Sequence, residues 1–195
     1  MAERAHPDLA GFRDKWFGLK KSVYKQNLFR RYKFCNKYIK DKIVLDAPCG
    51  VGWGTSLLKS AHKIYGVDIS EEAICYARKH FKKDNIEYKI GDMAELPFKN
   101  DFFDVVICLE GFEHVPRNIG MKFLDEAIRV LKKKGLIIMT IPILTNGRHS
   151  GNPYHLYEPA HEEIQSILNE RFFFIFFDLI NGPDSQIVYF VGRPK

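Results

Sequence analysis

Three aspartates in this sequence each stand where a short apolar run ends: Asp46 after Ile43-Val44-Leu45, Asp68 after Tyr65-Gly66-Val67, and Asp92 after Ile90-Gly91. The first opens Asp46-Ala47-Pro48-Cys49-Gly50-Val51-Gly52-Trp53-Gly54-Thr55, an acid followed by a glycine-rich turn. Glycines let the backbone pass close to a ligand, and a helix starting at Thr55 would offer free N–H groups. A dinucleotide turn needs G-x-G-x-x-G, but Gly50-x-Gly52 is followed by Thr55 and Gly52-x-Gly54 by Leu57. No Gly-Lys-Ser/Thr of a phosphate loop is present either. An acid ahead of the turn suits a ligand with a positive amine better than a pyrophosphate. Asp68, 22 residues beyond Asp46, can accept protons from two ribose hydroxyls. Asp92 can accept one from an exocyclic adenine amine, with Ile69 and Met93 on the two faces of the base.

A second set of groups follows the fourth apolar run, in Leu109-Glu110-Gly111-Phe112-Glu113-His114-Val115. On a helical turn Glu110, Glu113 and His114 stand at i, i+3 and i+4 and share a face. That face suits proton transfer or a divalent ion such as Mg²⁺ or Mn²⁺. Two further imidazoles, His149 and His155, lie downstream on either side of Gly151-Asn152-Pro153-Tyr154.

These groups need a scaffold that gathers strand ends. From residue 43 short apolar runs alternate with amphipathic stretches, the pattern of a parallel sheet with crossover helices. Strands are expected at 43–46, 63–67, 86–90, 103–109 and 136–141, with helical spacing over 55–61, 71–82 and 119–133. Gly135 is placed to cap the last helix. Residues 143–161, rich in Gly, Asn, Pro and His, read as a long loop leading into a helix at 162–169. Two further runs, 172–179 and 186–192, flank Asn-Gly-Pro-Asp and suggest an antiparallel hairpin at one edge. The expected fold class is α/β, a Rossmann-like, mostly parallel seven-stranded sheet with helices on both faces. In such sheets ligands bind at the carboxyl ends of the strands, which is where the three acids fall. Residues 12–40 read as an amphipathic helical lead-in, with Phe17, Tyr24, Leu28, Tyr32, Cys35 and Ile39 as packing residues.

The size, 195 residues, and the composition, 46% apolar and 28% charged, suit one globular domain over 1–195 and argue against disorder. Four scattered cysteines contain no C-x-x-C pair, so neither a zinc knuckle nor a disulfide framework is expected. No apolar stretch resembles a leader or a membrane span, which points to a soluble, cytoplasmic protein. The net charge of +6 is concentrated: residues 1–42 hold 12 Lys/Arg against 4 Asp/Glu, leaving 18 against 20 for the rest. This basic lead-in could attract an anionic partner, although a solvated helix face explains it equally well.

The ordered set VLDAPCGVGWG, IYGVDIS, GDMAELPF, FDVVICLEGFEHV and KKGLIIMTI resembles the class I S-adenosylmethionine-dependent methyltransferases, in their type 11 small-molecule group, over roughly residues 40–195. The resemblance implies S-adenosyl-L-methionine as cofactor. It assigns the methionine part to Asp46, Gly50 and Gly52, the ribose to Asp68, and the adenine to Asp92, Ile69 and Met93, with Leu109 also bordering the cofactor. The family commonly has Gly where Pro48 stands. Glu-x-x-Glu-His is similar to a run in metal-dependent RNA 2′-O-methyltransferases and in quinone-biosynthesis O-methyltransferases, which implies Glu110, Glu113 and His114 as ligands; the RNA enzymes' fourth ligand, a histidine further downstream, falls on His155 of Asn152-Pro153-Tyr154-His155, with His149 a second choice. FRRYKFCNKYI and GNPYHLYEPAHEEI resemble methyltransferases of surface-polysaccharide and natural-product genes, with Tyr32, Tyr154, His155 and Tyr157 at the acceptor pocket. The expected function is O-methylation of a small polar acceptor, such as a sugar or natural-product hydroxyl, with His114, Glu113 and His155 as the catalytic groups. The alternatives are a metal-assisted RNA 2′-O-methyltransferase and a cofactor-binding protein without catalysis.

Overall fold

The computed structural model describes residues 20–181 and 186–195. Helix α1 (Lys20–Cys35) leads into strand β1 (Ile43–Asp46), followed by β2 (Lys63–Asp68), α2 (Glu71–His80), β3 (Ile86–Ile90), β4 (Phe103–Leu109), α3 (Arg117–Val130), β5 (Leu131–Ile143), α4 (His161–Arg171), β6 (Phe172–Asn181) and β7 (Gln186–Pro194). The strands form one seven-stranded sheet in the order β3-β2-β1-β4-β5-β7-β6. The first five run parallel, while β7 pairs antiparallel with β5 and with β6. The expected α/β class and the edge hairpin are therefore both present. Among the described residues no helix is long and apolar enough to cross a membrane.

Alternation along the central strands divides the core between two faces. In β4, Val106 and Cys108 pack with Phe123 and Leu124 of α3 and Ile164 of α4. Val105, Ile107 and Leu109 pack on the opposite face with Leu28, Tyr32 and Cys35 of α1 and Ile74 and Ala77 of α2. Full burial of each large apolar side chain contributes about 1.5–3 kcal/mol. Helix α2 carries its own boundaries: the Ser70 side chain accepts from the Ala73 N–H, with Glu71 and Glu72 in the first turn and Arg78, Lys79 and His80 in the last. Of the residues expected to pack from the lead-in, Leu28, Tyr32, Cys35 and Ile39 are buried. Phe17 and the side chain of Tyr24 lie outside the described residues.

Three local expectations are corrected. The segment 55–61 is not a helix but a single 3-10 turn, Thr55–Leu57. Asn36 of the lead-in ends it, donating from Nδ2 to the Leu57 carbonyl at 3.0 Å and accepting from the Lys59 N–H at 3.1 Å. Helix α3 stops at Val130 instead of running to 133, and Gly135 does not cap it. Gly135 lies inside β5, where a Cβ would come within 2.9 Å of the Lys132 carbonyl and 3.2 Å of the Asp104 carbonyl, so it is there for close backbone approach. Finally, Glu110 is not on a helical turn. Its φ is +51°, and only Phe112–His114 forms a 3-10 turn.

Tyr88 of β3 determines how tightly the glycine-rich turn closes. Its ring lies where a Cβ on Gly66 or Gly52 would stand, at 2.7 Å and 2.8 Å respectively. Gly52 also has φ +78° and would meet the Ala77 Cβ at 2.7 Å. Gly52→Ala combines a left-handed backbone with overpacking, which together cost about 2 kcal/mol or more. Urea unfolding is expected to show that loss as a lower midpoint with an unchanged slope.

Candidate functional site

The carboxyl ends of β1, β2, β3 and β4 open into one pocket. Its wall includes Gly50, Asp68, Ile69, Asp92 and Met93 on one side, and Leu28, Tyr32, Pro48, Leu109, Glu110, His114 and Val115 on the other. Asp68 accepts from the Gly50 N–H at 2.8 Å through one oxygen and from the Ser70 N–H at 2.9 Å through the other. The carboxylate thus ties the glycine-rich turn to the end of β2, with lone pairs to spare for hydroxyl donors. Gly50 has φ +53°, and a Cβ there would meet nothing within 4 Å, so its backbone faces open space. Asp92 is exposed and turns one oxygen back to the Ala94 N–H at 2.8 Å. Ile69 is 71% exposed and Met93 8%; with both in the pocket wall, a flat apolar ring has one exposed and one buried aliphatic neighbour. The donor set fits an adenosine: carboxylates for hydroxyls and an amine, and aliphatic surfaces for a base.

Two residues expected at this ligand are placed elsewhere. Asp46 and Gly52 do not line the pocket. Asp46 is fully buried behind it and accepts from Thr55 Oγ1 at 2.7 Å and from the Tyr32 hydroxyl at 3.3 Å. Gly52 is taken up by Tyr88, whose hydroxyl is 3.2 Å from the Gly52 carbonyl. Pro48 fits because residue 111 is glycine: a Cβ there would fall 2.3 Å from the proline ring.

At the other end of the pocket the structure separates Glu110 from its expected companions. Glu110 Oε2 pairs with Arg31 at 2.9 Å, and Oε1 accepts from Thr140 Oγ1 at 2.9 Å. The left-handed backbone at residue 110 aims the carboxylate at these partners, away from Glu113 and His114. Arg31 is only 4% exposed, and no periodicity in the basic lead-in distinguishes it from its solvated neighbours.

Glu113, His114 and His155 do come together, with one ligand-capable atom from each lying within 4.8 Å of the others. His114 Nε2 is 3.9 Å from Glu113 Oε1, and the two imidazole rings meet edge to face at 5.1 Å. Backbone bonds lock the loop over this cluster. The Glu113 carbonyl accepts from Leu156 and Tyr157 N–H groups at 2.7 and 3.2 Å, and His114 Nδ1 donates to the Tyr154 carbonyl at 3.0 Å. Only His114 of the three lines the pocket, with Glu113 and His155 behind it. His149 is a neighbour of His155, ring centroids 6.2 Å apart, and lies outside the cluster. Tyr154 is exposed, while Tyr157 donates to Glu163 Oε1 at 2.6 Å. The loop closes at its base, where the Leu144 N–H donates to the Pro159 carbonyl at 3.0 Å.

Burial pushes the Asp46 carboxyl up from 3.8 to about 7, against the opposing pull of the Thr55 and Tyr32 hydrogen bonds. A carboxyl raised on folding stabilises the native state fully below its unfolded value, and that stabilisation is lost as pH rises through about 7. A tenfold change in proton affinity corresponds to about 1.4 kcal/mol. Asp46→Asn removes this dependence. The stability of the wild type relative to the variant is therefore expected to fall between pH 5 and pH 8, measured by urea unfolding at each pH.

Residues 45–139 match a family model described as a methyltransferase domain. A probable S-adenosylmethionine-dependent methyltransferase of Mycobacterium tuberculosis is 32% identical over 171 residues, covering 85% of this chain and 58% of that protein. The chain thus spans little more than half the length of that curated relative. The phthiotriol/phenolphthiotriol dimycocerosates methyltransferase of Mycobacterium leprae is 36% identical over 100 residues, covering 48% of this chain and 35% of that one. Among solved structures, the PH0226 protein of Pyrococcus horikoshii superposes with a TM-score of 0.75 at 24% identity, over 88% of this chain and 91% of its own. That last likeness concerns the fold alone. With the acids at the ends of β2 and β3 and the glycine-rich turn after β1 gathered in one sheet, residues 45–139 form a domain of the class I S-adenosylmethionine-dependent methyltransferase family.

Proposed function

We propose that this chain transfers a methyl group from S-adenosyl-L-methionine to a hydroxyl of a small natural-product acceptor. The observation that carries the reading is the continuity of the pocket, from Asp68, Ile69, Asp92 and Met93 to His114 and Val115. When bound, the cofactor supplies an electrophilic methyl on a positively charged sulfonium. Asp68 holds the ribose, Asp92 the adenine amine, and Ile69 and Met93 the faces of the ring. Displacement at a methyl is in-line, so the protein's task is to align the acceptor and take its proton. His114, the member of the cluster with Glu113 and His155 that lines the pocket, takes that proton.

The acceptor wall favours a natural-product hydroxyl over a sugar. Leu28, Pro48, Leu109 and Val115 offer hydrocarbon, and Leu156 beside the cluster is 62% exposed. The polar groups on that side are largely committed, Tyr32 to Asp46 and Glu110 to Arg31 and Thr140. A sugar would have to bury several hydroxyls with few partners, which costs about 1–3 kcal/mol each. The mycobacterial relative whose name specifies phthiotriol dimycocerosates is compatible with an apolar-bodied acceptor.

The same cluster supports a second reading. A carboxylate and two imidazoles within 4.8 Å form a donor set suited to Mn²⁺ more than Mg²⁺. Glu113, His114 and His155 would hold the ion, and its chemistry would be to lower the pKa of a bound hydroxyl. Calorimetric titration with Mn²⁺ is expected to show a site that Glu113→Gln removes; absence of binding to the wild type overturns this second reading.

The main reading is tested by incubating the protein with isotope-labelled S-adenosyl-L-methionine and a panel of phenols, polyketide and lipid alcohols, sugars and a short oligoribonucleotide. Methyl ethers of the apolar-bodied alcohols are expected, and transfer to the oligoribonucleotide alone would overturn it. In calorimetry with S-adenosylhomocysteine, Asp68→Ala is expected to weaken binding by about tenfold or more, the effect of losing charge-assisted hydrogen bonds. His155→Ala should change it far less, and equal losses would contradict the division between cofactor and acceptor ends.

A further inference from the structure

We propose that Glu158 is a positioning residue for the acceptor end of the pocket. It holds His155 with its proton on Nδ1, which leaves Nε2 as the lone-pair nitrogen available to the cluster with Glu113 and His114. The inference rests on the assignment of that end as the acceptor side, but its geometry is independent of which acceptor enters.

Glu158 is a fully buried carboxylate encircled by donors. Oε2 accepts from the Ser150 N–H at 2.7 Å, and Oε1 accepts from the Ser150 hydroxyl and from His155 Nδ1. Both carboxylate oxygens are thus occupied as acceptors, by the backbone and hydroxyl donors of Ser150 and by His155. An ionised carboxylate can only accept, so the His155 nitrogen that meets it must carry the proton. His149 does not compete for this role. Its side chain is half exposed, 3.8 Å from Oε2 at its Nδ1, and that nitrogen is engaged by the Gly151 N–H at 3.1 Å.

His114 is set the same way by a different device, since a carbonyl oxygen, that of Tyr154, receives its Nδ1 proton. Both rings therefore have Nδ1 committed as a donor and Nε2 free to accept. Two imidazole lone pairs beside a buried carboxylate make a site that draws a positive centre, whether a proton leaving an acceptor hydroxyl or a bound cation. An imidazole free in water prefers the proton on Nε2, so a carboxylate behind Nδ1 reverses the preference and fixes the ring's orientation.

The test is nitrogen NMR of protein labelled with ¹⁵N-histidine, at a pH where the side chain is neutral, with the His155 signals assigned by their loss in His155→Gln. The wild type is expected to show His155 as the Nδ1–H tautomer. Glu158→Ala is expected to shift it to mainly Nε2–H, while S-adenosylhomocysteine affinity stays within about twofold. Where Glu158→Ala does not fold, Glu158→Gln is read instead, with an Nε2–H population expected because its amide can donate as well as accept. An Nε2–H tautomer in the wild type, or an unchanged tautomer in the variant, overturns the proposal. With a turned-over acceptor from the panel, Glu158→Ala should lower kcat about tenfold or more at unchanged KM for S-adenosyl-L-methionine; an unchanged kcat removes the positioning role. The expected tautomers without transfer to any hydroxyl would instead remove the O-methylation reading and leave the histidine geometry standing.

Discussion

The buried carboxyl of Asp46 joins three parts of the chain that the sheet alone would leave independent. It stands at the end of β1, takes a hydrogen bond from Thr55 in the 3-10 turn, and takes another from Tyr32 in the lead-in helix. Both donors meet the same oxygen, Oδ2, and each offsets part of the cost of burying the group. The same two segments shape the pocket: Gly54 is pressed against the Tyr32 ring, and Leu28, one turn earlier in α1, forms part of the wall. The shape of the pocket at the end of β1 therefore depends on the docking of a helix that precedes the sheet.

Around this anchor the site has two characters. The cofactor end is built from strand termini and backbone amides, with Asp68 holding the glycine-rich turn. The acceptor end is built from a 3-10 turn and a loop, joined through the Glu113 carbonyl and the His114 to Tyr154 bond. Glu110 stands in the pocket wall with both carboxylate oxygens already engaged, by Arg31 and by Thr140. Its ion pair with Arg31 ties α1 to the end of β4, and the unfavourable left-handed backbone at residue 110 is sustained by that pair and by Thr140.

The strands, and the acids at the ends of β2 and β3, were legible because their signals are local. Fully buried runs such as Val105 to Leu109 read as strands from their apolar content, and α2 announces both ends by its cap and charges. The failures came where tertiary contacts override local pattern. Helical spacing after Thr55 is cut short by Asn36, a residue far away in sequence. The periodicity of α3 runs on through Leu131, but pairing with Phe103 claims that residue for β5. Asp46 carries the family's acid at the expected position, yet nothing in its neighbourhood reveals that Thr55 and Tyr32 both donate to its Oδ2. Glu158 and Arg31 gave no signal at all, since single charged residues in polar segments look solvated until the fold surrounds them.

The backbone bond between Leu144 and Pro159 means that the loop bearing His155 leaves the sheet and returns to it at nearly one point. Its internal contacts, including those of Ser150 with Glu158, form within the excursion itself. Such a loop resembles an exchangeable cassette: its length and side chains can diverge while the register of β5 against β7 and the docking of α4 stay fixed. Replacing this one closed loop would leave the part of the sheet that ends in Asp68 and Asp92 undisturbed.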